Sequence, residues 1–201
     1  MAGVLAPDEP ADEDWESGEA GAYGFFEHAV SELGNNVIQH SHSAGYVCAQ
    51  HYPSNDMVRL AIADCGIGIR RSFEVSQSPH WREGMTDREA LEIALQPHMS
   101  SKLHIRSGWG GEPVNAGVGL SVLNGLAQET RGKLLVISGG AFYTSWEGFG
   151  NFSGNLVYNG TLCAFAVLRS EAMHFTKHLR AVNARIRPLL DGPNTFDGVF
   201  R

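Results

Sequence analysis

Cysteine is scarce in this 201-residue chain: Cys48, Cys65 and Cys163 are odd in number, far apart and set in apolar runs. Such spacing supports neither a disulfide framework nor a zinc site, and it predicts reduced, buried thiols of a cytoplasmic protein. Basic residues are also few, 15 Lys and Arg against 22 Asp and Glu, for a net charge of -7. Sequence-independent binding of nucleic acid needs a basic surface to neutralise phosphates, so nucleic acid is not an expected partner. No run approaches the roughly 20 apolar residues that a membrane span requires, so no membrane is expected either. Residues 1–20 hold seven acidic side chains, no basic one, and only Val4, Leu5 and Trp15 as sizeable apolar groups. That composition buries too little apolar surface to order itself and predicts a disordered acidic arm. The arm also lacks the positive start and long apolar stretch of a secretory signal.

Familiar motifs are missing as well. Neither Gly66-Ile67-Gly68 nor Gly117-Val118-Gly119 has a glycine three residues further on, as a dinucleotide-binding fingerprint requires. Gly132-Lys133 lacks the earlier glycine of a Walker A loop, and no Gly-x-Ser-x-Gly elbow exists for a serine hydrolase. His174 and His178 share a helix face at i, i+4 but lack a third metal ligand.

What is present is enough apolar material, 43% of residues, for one domain of roughly 150 residues with tails. Residues 23–40 read as a helix, with Phe26, Ala29, Leu33 and Val37 recurring on one side. Residues 46–51 and 57–63 read as strands joined by the Pro53-Ser54-Asn55-Asp56 turn, with Val58, Leu60 and Ile62 on one face. Residues 70–115 are glycine-rich and irregular except for a helix that the Thr86-Asp87-Arg88-Glu89 capping box starts and Pro97 stops. Residues 117–130 read as a second amphipathic helix with Gly132 as its C′ residue. Strands follow at 133–138, 141–146 and 161–169, then a helix over 174–186. Consecutive strands set apart from helices predict an α+β two-layer sandwich, with helices on one face of a mixed, mostly antiparallel sheet.

Three short clusters carry the chemistry. Glu32 and Asn36 sit at i and i+4 on one face of the first helix, with His40 a turn further on and Leu33 and Val37 on the opposite, buried side. A carboxylate there can orient or deprotonate an attacking hydroxyl, and an amide oxygen is a suitable hard ligand for Mg²⁺. By themselves the two residues equally describe a solvated helix face. Asp64 ends an apolar strand and is followed by Gly66 and Gly68. It can accept a hydrogen bond from an exocyclic amine, while the glycines let backbone approach a flat ring. A strand-ending turn has the same composition. Gly117, Gly119 and Leu120 open the second helix, whose free N–H groups form an anion site or a flexible hinge.

Taken together, Glu-x-x-x-Asn on a helix, Asp-x-Gly-x-Gly after a strand and Gly-x-Gly-Leu opening a helix resemble the N, G1 and G2 boxes of the GHKL superfamily. That group includes gyrase-type topoisomerases, heat-shock chaperones, mismatch-repair ATPases, sensor histidine kinases and anti-sigma-factor serine kinases. The resemblance spans about residues 23–169. It implies the Bergerat ATP-binding fold, with ATP and Mg²⁺ as cofactors and a long ATP lid over about residues 70–115. By position it implies that Asp64 binds adenine in a pocket shaped by Gly66, Gly68 and Thr161. Asn36 ligates Mg²⁺, Glu32 is the catalytic carboxylate, and Gly117, Gly119 and Leu120 cradle phosphates. Ser100-Ser101-Lys102 resembles the Thr-Thr-Lys run of some family lids, which makes Lys102 a catalytic candidate and Ser101 a binding one. His40 matches a position often basic in the kinase branch.

The acidic arm does not resemble the helical dimerisation and phosphoacceptor domain of a sensor kinase, and His28 lacks the pattern of a phosphoacceptor box. The residues after the last expected strand do not resemble a transducer domain, so none is expected. The expected organisation is an arm at 1–20, an ATP-binding domain at 21–170, and a C-terminal helix and tail at 171–201. The resemblance is greatest to stand-alone anti-sigma serine kinases or a detached histidine-kinase catalytic domain. It implies a cytoplasmic regulatory kinase that phosphorylates a separate partner protein, with a homodimer as a further possibility. A non-catalytic nucleotide-gated switch and a slow ATPase gating a larger assembly are the alternatives.

Overall fold

The computed structural model describes Leu5 and residues 21–97 and 119–190, with side chains to residue 186. The architecture is α+β. Six strands, β1 (Gly45–Tyr52), β2 (Met57–Asp64), β3 (Lys133–Gly139), β4 (Ala141–Thr144), β5 (Gly148–Asn151) and β6 (Tyr158–Leu168), form one sheet in the order β1-β2-β6-β3-β4-β5. Every pairing is antiparallel, so the expected mixed sheet is corrected to a wholly antiparallel one. Strands β2 and β3 run parallel to each other, but β6 lies between them and pairs antiparallel with both, so the crossover from β2 to β3 adds no parallel pair.

Alternation decides which face is covered. Val58, Leu60 and Ile62 of β2, Leu134 and Val136 of β3, and Cys163, Phe165 and Val167 of β6 are buried in one core cluster. The helices lie over that face. Helix α1 (Ala22–Asn36) contributes Phe25, Phe26, Ala29 and Leu33, and its Phe25 ring lies 5.5 Å from that of Phe165. Its last turn widens into a π-helical turn at Val37–Ser41, which ends at left-handed His42. Leu5 is fully buried in the same core, so this residue departs from the disordered arm expected for 1–20. An isolated leucine side chain gains about 2 kcal/mol from such burial, which composition averaged over twenty residues conceals.

Segment 68–97 is not irregular. Helices α2 (Gly68–Val75) and α3 (Asp87–Ala94) enclose a small core of Phe73, Met85 and Ala90. The Thr86–Glu89 capping box starts α3 as expected. Asp87 then ties this pair of helices to the sheet, accepting hydrogen bonds from Arg70 Nε and the Gly140 backbone N–H, both at 2.8 Å. The rest of the expected lid lies outside the described residues.

Helix α4 (Gly119–Glu129) buries Val122, Leu123, Leu126 and Ala127. Its left-handed exit residue is Arg131, at φ 51°, rather than the expected Gly132. Glycine at 132 serves close approach instead, since a Cβ there would lie 2.7 Å from the Ala166 carbonyl oxygen. A short helix α5 (Arg169–Ala172) leads to α6 (Phe175–Leu190). Among the described residues, no helix is long and apolar enough to cross a membrane. Of the three cysteines expected to be buried, only Cys163 is; Cys48 on the edge strand and Cys65 beyond β2 are exposed.

Candidate functional site

The C-terminal half of α1, the ends of β2 and β6, helix α2 and the start of α4 converge on one open cleft. Glu32, Asn36, His40, Asp64, Gly68, Gly119, Leu120 and Thr161 all line it. These residues come from four distant stretches of sequence. Gly66 does not line it, and Ser101, Lys102 and Gly117 lie outside the described residues.

Helix α1 presents a wider arc than the two polar positions imply. Leu33 and Val37, expected on the opposite side, form cleft wall as well, and Gln39, His40 and Ser41 of the π turn extend it. Such π turns recur at functional sites. The Glu32 carboxyl lies against the Cα of Gly119, where any Cβ would overlap it. Burial raises its pKa above the ordinary glutamate value. Asn36 Nδ2 is buried without a hydrogen-bond partner among the described residues, an amide held beside the cavity with capacity to spare. Opposite α1, Ser72 Oγ of α2 is 3.3 Å from His40 Nδ1.

Asp64 is only 3% exposed. Its Oδ1 accepts the Gly66 backbone N–H at 2.8 Å, and its carbonyl accepts the Tyr158 hydroxyl at 3.1 Å. Desolvation raises its pKa, and hydrogen bonds from the Gly66 and Thr161 backbones oppose that rise. The neighbouring Cys163 thiol is pushed up to about 12, first by complete burial and then by the Asp64 charge. It is therefore an inert wall group. Together Ile62, Phe73, Ala94 and Cys163 give apolar walls around one buried carboxylate, suited to a flat heterocycle that offers a hydrogen-bond donor.

The glycines work differently from the sequence-based expectation. Gly66 is required by the protein's own backbone, because a Cβ would overlap the Ser41 carbonyl, which accepts the Ile67 N–H at 3.0 Å. Gly68 adopts φ +70°, with space closed by Ser138 Oγ and the Gly160 carbonyl. Gly160 adopts φ +115°, with a would-be Cβ 2.8 Å from Asp64 Oδ1. Ser138, absent from the sequence-based set, donates to the Gly160 carbonyl at 3.1 Å and accepts the Ile69 N–H at 2.9 Å. It locks the start of α2 to β6.

Ser72 and Phe73 were missed because α2 was read as irregular. Cys163 carries a usable signal, standing two residues beyond Thr161 on the same strand face. His174 and His178 do not line this cleft, and His178 Nε2 is 3.4 Å from Glu171 Oε2. No protein-family model matches the chain, and no curated protein matches it.

Proposed function

We propose that this cleft binds ATP with Mg²⁺ in a Bergerat-type fold, and that the chain is a cytoplasmic regulatory protein kinase of the GHKL kind. The observation that carries the reading is the convergence of Glu32, Asn36, Asp64, Gly119 and Thr161, from separate sequence clusters, on one cavity. In this reading the buried Asp64 carboxylate accepts the adenine amine, and the apolar walls sandwich the ring. Gly119 and Leu120 leave backbone N–H groups at a helix start for phosphate oxygens.

The residues present fit the metal. Asn36 lines the cleft with a side-chain amide oxygen, a hard ligand suited to Mg²⁺, and Glu32 supplies a carboxylate one helical turn away. Bound Mg²⁺ would neutralise charge on the phosphates, with Asn36 holding it. Glu32 orients the acceptor hydroxyl of the partner protein. It takes the hydroxyl proton as that oxygen bonds to the γ-phosphorus and the bond to the departing ADP breaks. Its raised pKa makes it a stronger base than an exposed glutamate.

Binding is tested by thermal unfolding with ATP and Mg²⁺. Ligand at about 100 times its Kd stabilises by about 2.7 kcal/mol. For a chain of this size that raises Tm by roughly 5–11 °C. Asp64→Ala should abolish the rise; an equal rise in that variant sinks the pocket assignment. Transfer is tested with γ-labelled ATP and the products of neighbouring genes. Glu32→Ala should keep the thermal shift and lose the label. Partner regulation that survives Glu32→Ala would replace the kinase with a nucleotide-gated binding module.

A further inference from the structure

The sheet's second face is built differently from the first. Strand register sets Tyr46, Ala63, Leu162, Ile137 and Phe142 in one line across β1, β2, β6, β3 and β4. Two residues along, Cys48, Ala61, Ala164 and Leu135 form a second line. Alternation points these side chains away from Val58, Leu60 and Ile62, and none belongs to the core beneath the helices.

The shape is a trough. The two central strands carry Ala61, Ala63, Ala164 and Ala166 over its middle, with Leu162 rising opposite Ala63 at one end. Taller residues flank them, Tyr46 (67% exposed) on β1 and Leu135, Ile137 and Phe142 on the far side. Strands about 4.8 Å apart make such a floor roughly 10 Å wide, the width of an α-helix. A helix is also the element that ordinarily buries an apolar sheet face.

The charge is confined to one end and has one sign. Arg59, Ala166 and Lys133 stand in a third register line. Arg59 lies over the Tyr52 ring and Lys133 over the Trp146 ring, each 5.2 Å from the centroid. Among the described residues, no strand position on this face is acidic, although the chain carries -7 overall. A second copy docked through this same face would bring no strand carboxylate to either cation.

We propose that this face docks an acidic amphipathic helix of a separate protein. Its apolar side chains occupy the alanine trough, and its carboxylates reach Arg59 and Lys133. Tyr46 and Trp146 are the aromatic anchors of the contact. The surface lies on the opposite side of the sheet from the cleft-lining residues of β2 and β6, so it does not depend on the nucleotide reading.

The test uses the full chain and two synthetic 18-residue helical peptides with the same leucine face, one otherwise rich in Glu and the other in Lys. Fluorescence anisotropy should show the Glu peptide binding at least tenfold more tightly. Arg59→Glu with Lys133→Glu should reverse that preference while leaving Tm unchanged. In a Cys65→Ser background, the Glu peptide should slow alkylation of Cys48, which lies on this face. Equal affinities, indifference to charge reversal or unprotected Cys48 would overturn the proposal. So would a dimer in sedimentation that Tyr46→Glu dissociates, since the occupant would then be a second copy. Peptide binding that appears only after the seven carboxylates of residues 1–20 are amidated would assign the face to the arm, and would equally overturn it.

Discussion

Replacing single glycines by alanine separates backbone strain from collision at the cleft, and Gly160 is the sharpest case. Its φ of +115° lies where alanine is strained, and its added methyl would be 2.7 Å from the Asp64 carbonyl carbon. Strain contributes about 1–3 kcal/mol. Forcing β2 and β6 apart adds about 1–3 kcal/mol of overpacking. Gly160→Ala should therefore cost about 2–6 kcal/mol, a drop in Tm of roughly 5–20 °C for this chain length. Gly84, at φ +77° with nothing within 4 Å of a would-be Cβ, isolates strain and should cost about 1 kcal/mol. Gly34, inside α1 with no neighbour within 4 Å, carries neither penalty. Alanine there should stabilise by about 0.5–1 kcal/mol through helix propensity. Urea unfolding monitored by circular dichroism measures all three. If Gly160→Ala falls within about 1 kcal/mol of Gly84→Ala, the close seating of Gly160 on Asp64 is refuted.

Three further outcomes follow from the site and its supports. The Glu32 pKa is raised by burial, so its contribution to stability is fully present below the unfolded value and is lost as pH rises through the folded one. Glu32→Gln should thus stabilise at pH 7 in urea unfolding, and the gain should shrink as pH falls toward the ordinary glutamate value; a gain that persists undiminished at pH 4 contradicts burial as the cause. Under native conditions Ellman's reagent should titrate Cys48 and Cys65 promptly but not the buried Cys163, whose thiol is pushed up to about 12. Release of a third equivalent before unfolding would count against that burial. Asp87→Ala removes acceptors for Arg70 and Gly140 and should cost about 1.5–3 kcal/mol in urea unfolding, whereas Thr86→Ala should cost only about 1 kcal/mol for a lost cap; the reverse order would show that Asp87 does not clamp α2 and α3 to the sheet.

The sequence by itself determined those elements whose pattern is local. Period-two burial in β2, helical spacing in α1 and the Thr86–Glu89 box are written in adjacent residues, and each element appears where that pattern places it. Short β5 was missed because its four residues, Gly148–Asn151, contain two glycines and alternate no apolar side chains. Helix α2 was missed because glycines at 66 and 68 read as loop, whereas they are demanded by the Ser41 and Gly160 carbonyls packed against them. The burial of Leu5, the exposure of Cys48 and Cys65, and the choice of Arg131 over Gly132 for the left-handed turn likewise depend on what lies alongside in space.

The candidate site divides in the same way. Glu32, Asn36, Asp64, Gly119 and Thr161 were legible as clusters of suitable chemistry, because residue type and spacing are properties of the chain. Only the tertiary structure decided that they share one cleft, since an antiparallel sheet brings the end of β2 beside the start of β6 and sets α1 over both. It also decided the electrostatics. A carboxylate's pKa responds to the water removed around it, and that depends on Gly160, Cys163 and α4, residues distant in sequence from Glu32 and Asp64.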